Sequence, residues 1–187
     1  DPALRANVAM LLGLMGENSA VPMLKQAANK PMPRVDNAQA AVVRAQIAEA
    51  IVRLGDDSEL NTLRAGAYNT LGEVRVVSIN ALGAVKDRQM IPALKQMLTD
   101  EAQPEPPEVK LAAAAALARM GSFDGRAVAA RLAENPNLIV KAQAAWALGW
   151  FADEGTLRQV AQMMESETPV VRIAAAASVI RRTAPGG

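Results

Sequence analysis

Hydrophobic and polar positions along this chain recur in a pattern that is helical and repeated. A basic residue is followed by an apolar or alanine position four residues later, and by further apolar positions at seven and ten. The pattern appears in RANVAMLLGLMG from Arg5, RAQIAEAIVRLG from Arg44 and RVVSINALGAVK from Arg75. It returns in KLAAAAALARMG from Lys110, KAQAAWALGWFA from Lys141 and RIAAAASVIRRT from Arg172. The last three anchors are evenly spaced, and so are Arg44 and Arg75, which sets the basal period; the first and third units are longer and carry insertions. A fixed period of this size is the signature of a stacked repeat, in which no unit buries its apolar face alone.

Each unit reads as two helices. Apolar residues such as Ile47, Ile51 and Leu54 fall on one face of the first. Pro2, Pro107 and Pro169 each stand three residues before an anchor, where a first helical turn tolerates the missing N–H. Glycine follows the first helix at Gly16, Gly55 and Gly121, as a left-handed terminus requires. One residue later stand Glu17, Asp56, Asp87, Ser122 and Asp153, predicted to cap the second helix. Second helices are predicted through SAVPMLKQAANK, SELNTLRAGAYN, RQMIPALKQMLTD, GRAVAARLAEN and GTLRQVAQMMES, with Pro22 and Pro92 in equivalent first turns. The expected fold is all-α, an α/α superhelical solenoid of about five helix pairs plus a terminal helix. Residues 1–187 read as a single repeat domain, and Asp1, which is not an initiator residue, suggests one cut from a longer protein.

The theme V-R/K-x-x-A-A-x-A-L-G-x-h-G is clearest in EVKLAAAAALARMG (108–121) and NLIVKAQAAWALGWFA (137–152). It resembles the HEAT-repeat superfamily, specifically the short bacterial units known as PBS-lyase HEAT-like repeats. The resemblance runs over essentially the whole chain and departs from the longer units with periods of about 40–47 residues. It implies a scaffold or interaction module, with pigment lyases and a few other enzymes as exceptions. Iron-dependent HEAT-like hydroxylases rely on histidine ligands, and this chain has 0 His.

Composition narrows the chemistry. Aromatic residues make up only 3% of a chain that is 51% hydrophobic, so its core is built largely from alanine and aliphatic side chains in thin helical layers. With 0 Cys and 0 His there are no disulfides, thiolate metal sites or histidine acid/base groups. Zero cysteine suits either redox state, so it assigns no compartment. No apolar run approaches the roughly 20 residues that span a bilayer. The 20 basic residues nearly balance the 19 acidic ones, which argues against a dedicated polyanion binder.

Two proline-rich stretches, 29–41 and 99–110, read as loops inserted between units. The final helix, VVRIAAAASVIRR, carries apolar residues over much of its surface, as though a further helix or a partner covers it. The anchor row Arg5, Arg44, Arg75, Lys110, Lys141 and Arg172 reads as structural, one stacked residue per unit bonding neighbouring turns. Asp56, Asp57 and Glu59, like Asp153 and Glu154, read as turn caps rather than acid/base pairs.

The candidate partner-binding residues fall in two groups. Trp146 and Trp150 lie four apart on one helix face, five and nine residues after the Lys141 anchor. Those two positions hold Glu49 and Arg53 in the second unit and Ala115 and Arg119 in the fourth, which predicts contact with solvent unless a loop or terminus covers the indoles. The second helices should line the concave side and carry Lys25, Arg64, Arg88, Lys95, Arg131 and Arg158. Met90, Met97, Met163 and Met164 on the same helices read first as core.

These features predict a non-catalytic scaffold, without cofactor or metal, that binds another protein or peptide through the concave helices or the tryptophan face. A second reading places nucleic acid or another polyanion along the second helices. It requires steep salt dependence and receives little support from the near-neutral charge. A third, a chromophore-lyase-like role, rests on the resemblance alone.

Overall fold

A computed structural model describes residues 1–33 and 35–183. Arg34, inside the first proline-rich insertion, and the terminal APGG lie outside the described residues. The described residues are all-helical: α1 (Pro2–Met15), α2 (Val21–Asn29), α3 (Asn37–Arg53), α4 (Leu60–Gly66), α5 (Gly72–Ala84), α6 (Ile91–Thr99), α7 (Pro107–Arg119), α8 (Arg126–Leu132), α9 (Leu138–Leu148), α10 (Glu154–Met163) and α11 (Pro169–Thr183). Five pairs and a final helix result, in register with the repeat. Short 3-10 turns precede α2, α4 and α6. The chain divides into two compact units, Asp1–Asp87 and Arg88–Gly187.

Within the first unit, α1 lies against α3 and α3 against α5, while α2 and α4 cover α3 from the second layer. Ala9, Ile47, Ile51 and Leu63 form its interior, each almost fully buried. Within the second unit, α7 lies against α9 and α9 against α11, with α6, α8 and α10 as second helices. Leu94, Leu117, Leu148 and Phe151 fill its interior. Helix α7 is flanked by α6, α8 and α9 and is buried from Leu111 through Leu117, which explains its run of alanines. A helix surrounded on several sides needs small residues all round rather than one apolar stripe.

Helix ends follow the local chemistry. Pro2, Pro107 and Pro169 each begin a helix, and Pro22 and Pro92 sit in the first turns of α2 and α6. Gly16, Gly55 and Gly121 all adopt positive φ at the ends of first helices. In the third unit that position holds Lys86, which takes the same left-handed conformation at φ 57 despite its side chain. Asp1 caps α1, accepting from the N–H groups of Ala3 and Leu4. The two insertions are shorter than their prolines suggest. Asp36 caps α3 through the Gln39 N–H, so the first loop closes before Asn37, and α7 starts at Pro107.

Both terminal helices leave apolar side chains in solvent. On α1 these include Leu4, Leu11 and Met15, and on α11 Val170, Ile173 and Ile180. No helix among the described residues is long and apolar enough to cross a membrane.

Candidate functional site

Three of the six anchor residues bond the backbone. Arg5 donates to the carbonyls of Ala27 and Lys30 at the end of α2, Arg75 to Ala67 at the end of α4, and Arg172 to Ser166 and Glu167 after α10. Carbonyls at helix C-termini lack intrahelical donors and carry partial negative charge, so a guanidinium there satisfies both.

Second-helix bases are engaged in a different way. Lys25 and Arg64 stand at the same register after their anchors and reach the turn of the following repeat. Lys25 pairs with Asp56 at 2.6 Å, and Arg64 pairs with Asp87 at 2.7 Å. Lys95, the equivalent residue of the third repeat, pairs with Asp124 at 2.9 Å. In the fourth repeat the role shifts to Arg126, 3.7 Å from Asp153. Within each unit a ladder of ion pairs therefore links a second helix to the turn of the following repeat. Asp87, at a predicted cap position, is buried and takes two Arg64 nitrogens, at 2.7 and 3.0 Å. Glu17, Asp56 and Asp153 act as the predicted caps, accepting from the N–H groups of Ser19, Ser58 and Thr156.

Of the six basic candidates, Lys25, Arg64 and Lys95 belong to this ladder, and Arg158 pairs with Glu154 one turn away on α10. Arg88 and Arg131 are exposed. Met90 and Met97 are core residues, whereas Met164 is exposed.

Trp146 and Trp150 are both half-buried, and their surroundings differ from open solvent. Their rings meet edge to face with centroids 5.6 Å apart. Arg119 from α7 lies 4.4 Å from the centre of the Trp150 ring, and Arg181 from α11 lies 3.9 Å from it. Arg181 also stands 4.6 Å from Trp146 and donates to its backbone carbonyl at 3.1 Å. Arg119, Trp150 and Arg181 follow one another at intervals of one repeat. Helices α7, α9 and α11 run side by side, so the ninth positions after Lys110, Lys141 and Arg172 meet and the three side chains stack. Arg119 and Arg181 cover Trp150 from the same position of the flanking repeats, Arg181 coming from the terminal helix α11, and solvent reaches the indoles only in part.

Electrostatically the stack is lopsided. Burial and then the charge of Arg119 pull the Arg181 guanidinium down to about 10. Two buried donors, Trp150 Nε1–H and Arg181 Nε–H, find no acceptor among the described residues. The sequence pattern singles out the tryptophans and leaves Arg119 and Arg181 as ordinary surface cations. The signal that could have found them is the shared register, two cations flanking an indole at the repeat period.

Residues 101–180, which contain this stack's α7 and α9 and most of α11, match the family described as HEAT repeats. Over these residues the chain carries HEAT repeats. No curated protein matches it in sequence. Among solved structures, human deoxyhypusine hydroxylase in complex with glycerol is similar at 17% identity and a TM-score of 0.46, over 97% of this chain and 80% of that one. Among the described residues no three His, Cys, Asp or Glu side chains are placed to hold a metal ion.

Proposed function

We propose that this HEAT-repeat chain is a non-catalytic scaffold that binds a partner protein through the Trp146–Trp150 face. One observation carries the reading. The second-helix bases Lys25, Arg64 and Lys95 are held in ion pairs between repeats, while among the described residues Arg181 in the tryptophan stack pairs with no carboxylate and two donors of the stack find no acceptor. Half-exposed Trp and Arg side chains are the residue types that dominate interaction hot spots. The Lys95–Asp124 and Arg126–Asp153 pairs tie together the repeats that carry this face.

A nucleic-acid role along the second helices draws less support, because the cations such a role needs are largely matched by carboxylates of the same chain. The chromophore-lyase-like alternative rests on family resemblance and gains no side-chain constellation from the structure.

The test is site-specific photo-crosslinking. A photoreactive residue placed at Ala118, next to Arg119 on α7, and another at Arg131 on a second helix, would be compared in extracts of the source cells. The scaffold reading expects one protein to be captured reproducibly from position 118, and the same capture to disappear in Trp146→Ala/Trp150→Ala. Capture only from position 131, or capture indifferent to the tryptophans, sinks this face as the site.

A further inference from the structure

We infer that the Arg119–Trp150–Arg181 stack recognises carboxylates, so that the partner docked there presents an acidic, Asp/Glu-rich segment. The inference rests on the scaffold reading and names the class of ligand for the same face.

Among the described residues Arg181 makes one side-chain hydrogen bond, to the Trp146 carbonyl, and it lies over two indole rings. Its Nε–H and the Trp150 Nε1–H are buried without acceptors among the described residues. A buried donor in that state has given up its hydration and gained nothing in exchange, so an arriving acceptor is strongly favoured. No ion pair joins Arg181 to a carboxylate among the described residues, whereas Lys25, Arg53, Arg64, Lys95, Arg126 and Arg158 all have one. The depressed guanidinium of Arg181 is consistent with this, since a neighbouring anion would raise it.

A carboxylate is the complementary group. Its two oxygens match the planar guanidinium fork, and charge-assisted pairs of this kind are about twice as strong as neutral hydrogen bonds. What holds Arg181 down is modest by comparison, a single hydrogen bond to a carbonyl and ring stacking. An incoming carboxylate can therefore draw the guanidinium outward and engage its Nε edge.

The geometry disfavours the other polyanion. Single-stranded nucleic acid gains much of its affinity by stacking bases on exposed aromatic faces. Guanidiniums lie over the Trp150 ring at 4.4 and 3.9 Å, leaving little room for a base to stack. The second-helix cations Lys95 and Arg126 of the same unit are already matched by Asp124 and Asp153, which leaves them less available to a phosphate backbone.

The experiment titrates the whole chain with a hexaglutamate peptide while following tryptophan emission, with hexaglutamine and a twelve-nucleotide oligothymidine as comparison probes. Hexaglutamate should give a saturable emission change that hexaglutamine does not. Arg181→Gln should weaken that binding by about tenfold, equivalent to about 1.4 kcal/mol. Lys86→Gln, which removes an exposed charge in the other unit, should change it by less than about twofold. Should Arg181→Gln fail to fold by circular dichroism, Arg181→Lys keeps the charge and loses the fork, and should bind at least about threefold more weakly than wild type. Equal affinity of the folded Arg181 variant and wild type overturns the inference, as does tighter binding of oligothymidine than of hexaglutamate. If hexaglutamate fails to bind while photo-capture still depends on Trp146 and Trp150, the acidic ligand class falls and the scaffold reading stands. Loss of both removes both.

Discussion

The guanidinium carbon of Arg181 lies 3.9 Å from the centre of the Trp150 ring, one repeat away in sequence and one helix away in space. A cation over an indole face is worth about 0.5–1 kcal/mol when exposed and about 2 kcal/mol when desolvated. Trp150 is half-buried, carries such contacts on behalf of two arginines, and meets Trp146 edge to face. Trp150→Ala should therefore destabilise the chain by about 2–4 kcal/mol, toward the cost of a buried aromatic truncation. Urea denaturation measures the loss. A change smaller than about 0.5 kcal/mol, the least that one exposed cation–ring contact supplies, would mean the rings merely rest on the surface.

Removing Arg181 should act on the fluorophores more than on the fold. Its loss of stacking is offset by relief of a buried charge that Arg119 repels. Arg181→Ala should keep stability within about 1 kcal/mol of wild type while uncovering both rings. A red-shifted emission maximum and stronger acrylamide quenching are the expected readout. Unchanged quenching would show that other side chains provide the cover.

Members of the ion-pair ladder are unequal. Arg64 and Asp87 meet through two nitrogens and two oxygens, with the Asp87 side chain 5% exposed, whereas Lys25 and Asp56 are 40% and 30% exposed. Charged hydrogen bonds in partly dry sites outweigh surface pairs, which solvent and salt screen. Double-mutant cycles to alanine should give a coupling for Arg64–Asp87 at least about twice that for Lys25–Asp56. Equal couplings would show that burial does not separate the two.

Much of the fold was legible in the sequence because a repeat states its own rule several times. The anchor period placed the helix pairs, and the glycines Gly16, Gly55 and Gly121 marked three first-helix ends. Lys86 hid the fourth, since nothing in its side chain announces a left-handed terminus. What was not legible lies between repeats. Nothing local to Lys25 points to Asp56, a full repeat further along, because that pairing depends on how two neighbouring units stack. The same holds for Arg119 and Arg181. Periodicity shows that they share a position with Trp150, but only side-by-side helices show that sharing a position means touching.

Acid should loosen the array through its turn carboxylates. Hydrogen bonds from Lys25 and then Ser58 hold Asp56 well below the usual carboxylate range, and Ser122 and then Lys95 lower Asp124. Burial pushes Asp153 up, but the Thr156 hydroxyl and N–H and the charges of Arg126 and Arg182 outweigh it and leave it lowered. A carboxyl with a depressed folded value contributes stability that is fully present above its ordinary value of 3.8 and lost as pH falls through the folded one. The urea midpoint should thus fall as pH drops below about 4, and Asp56→Asn should flatten that fall. A midpoint that rises on acidification would reverse the sign of this account.

Gly125, which caps α8, packs directly against Ala114 of α7. A methyl group built there would stand 2.5 Å from the Ala114 Cα and 2.6 Å from its Cβ, closer than carbon atoms can approach. The backbone itself is no obstacle, since Gly125 sits at φ -82, which alanine adopts readily. Gly125→Ala should accordingly destabilise by about 1–3 kcal/mol through overpacking alone. Gly72→Ala, at the start of α5 with nothing within 4 Å, tests the opposite case and should be neutral or stabilising by up to about 1 kcal/mol through helix propensity. Because the obstacle at Gly125 includes a backbone atom, adding Ala114→Gly should recover only part of the loss. Full recovery would show that the two methyl groups, rather than the approach of the two helices, set the limit.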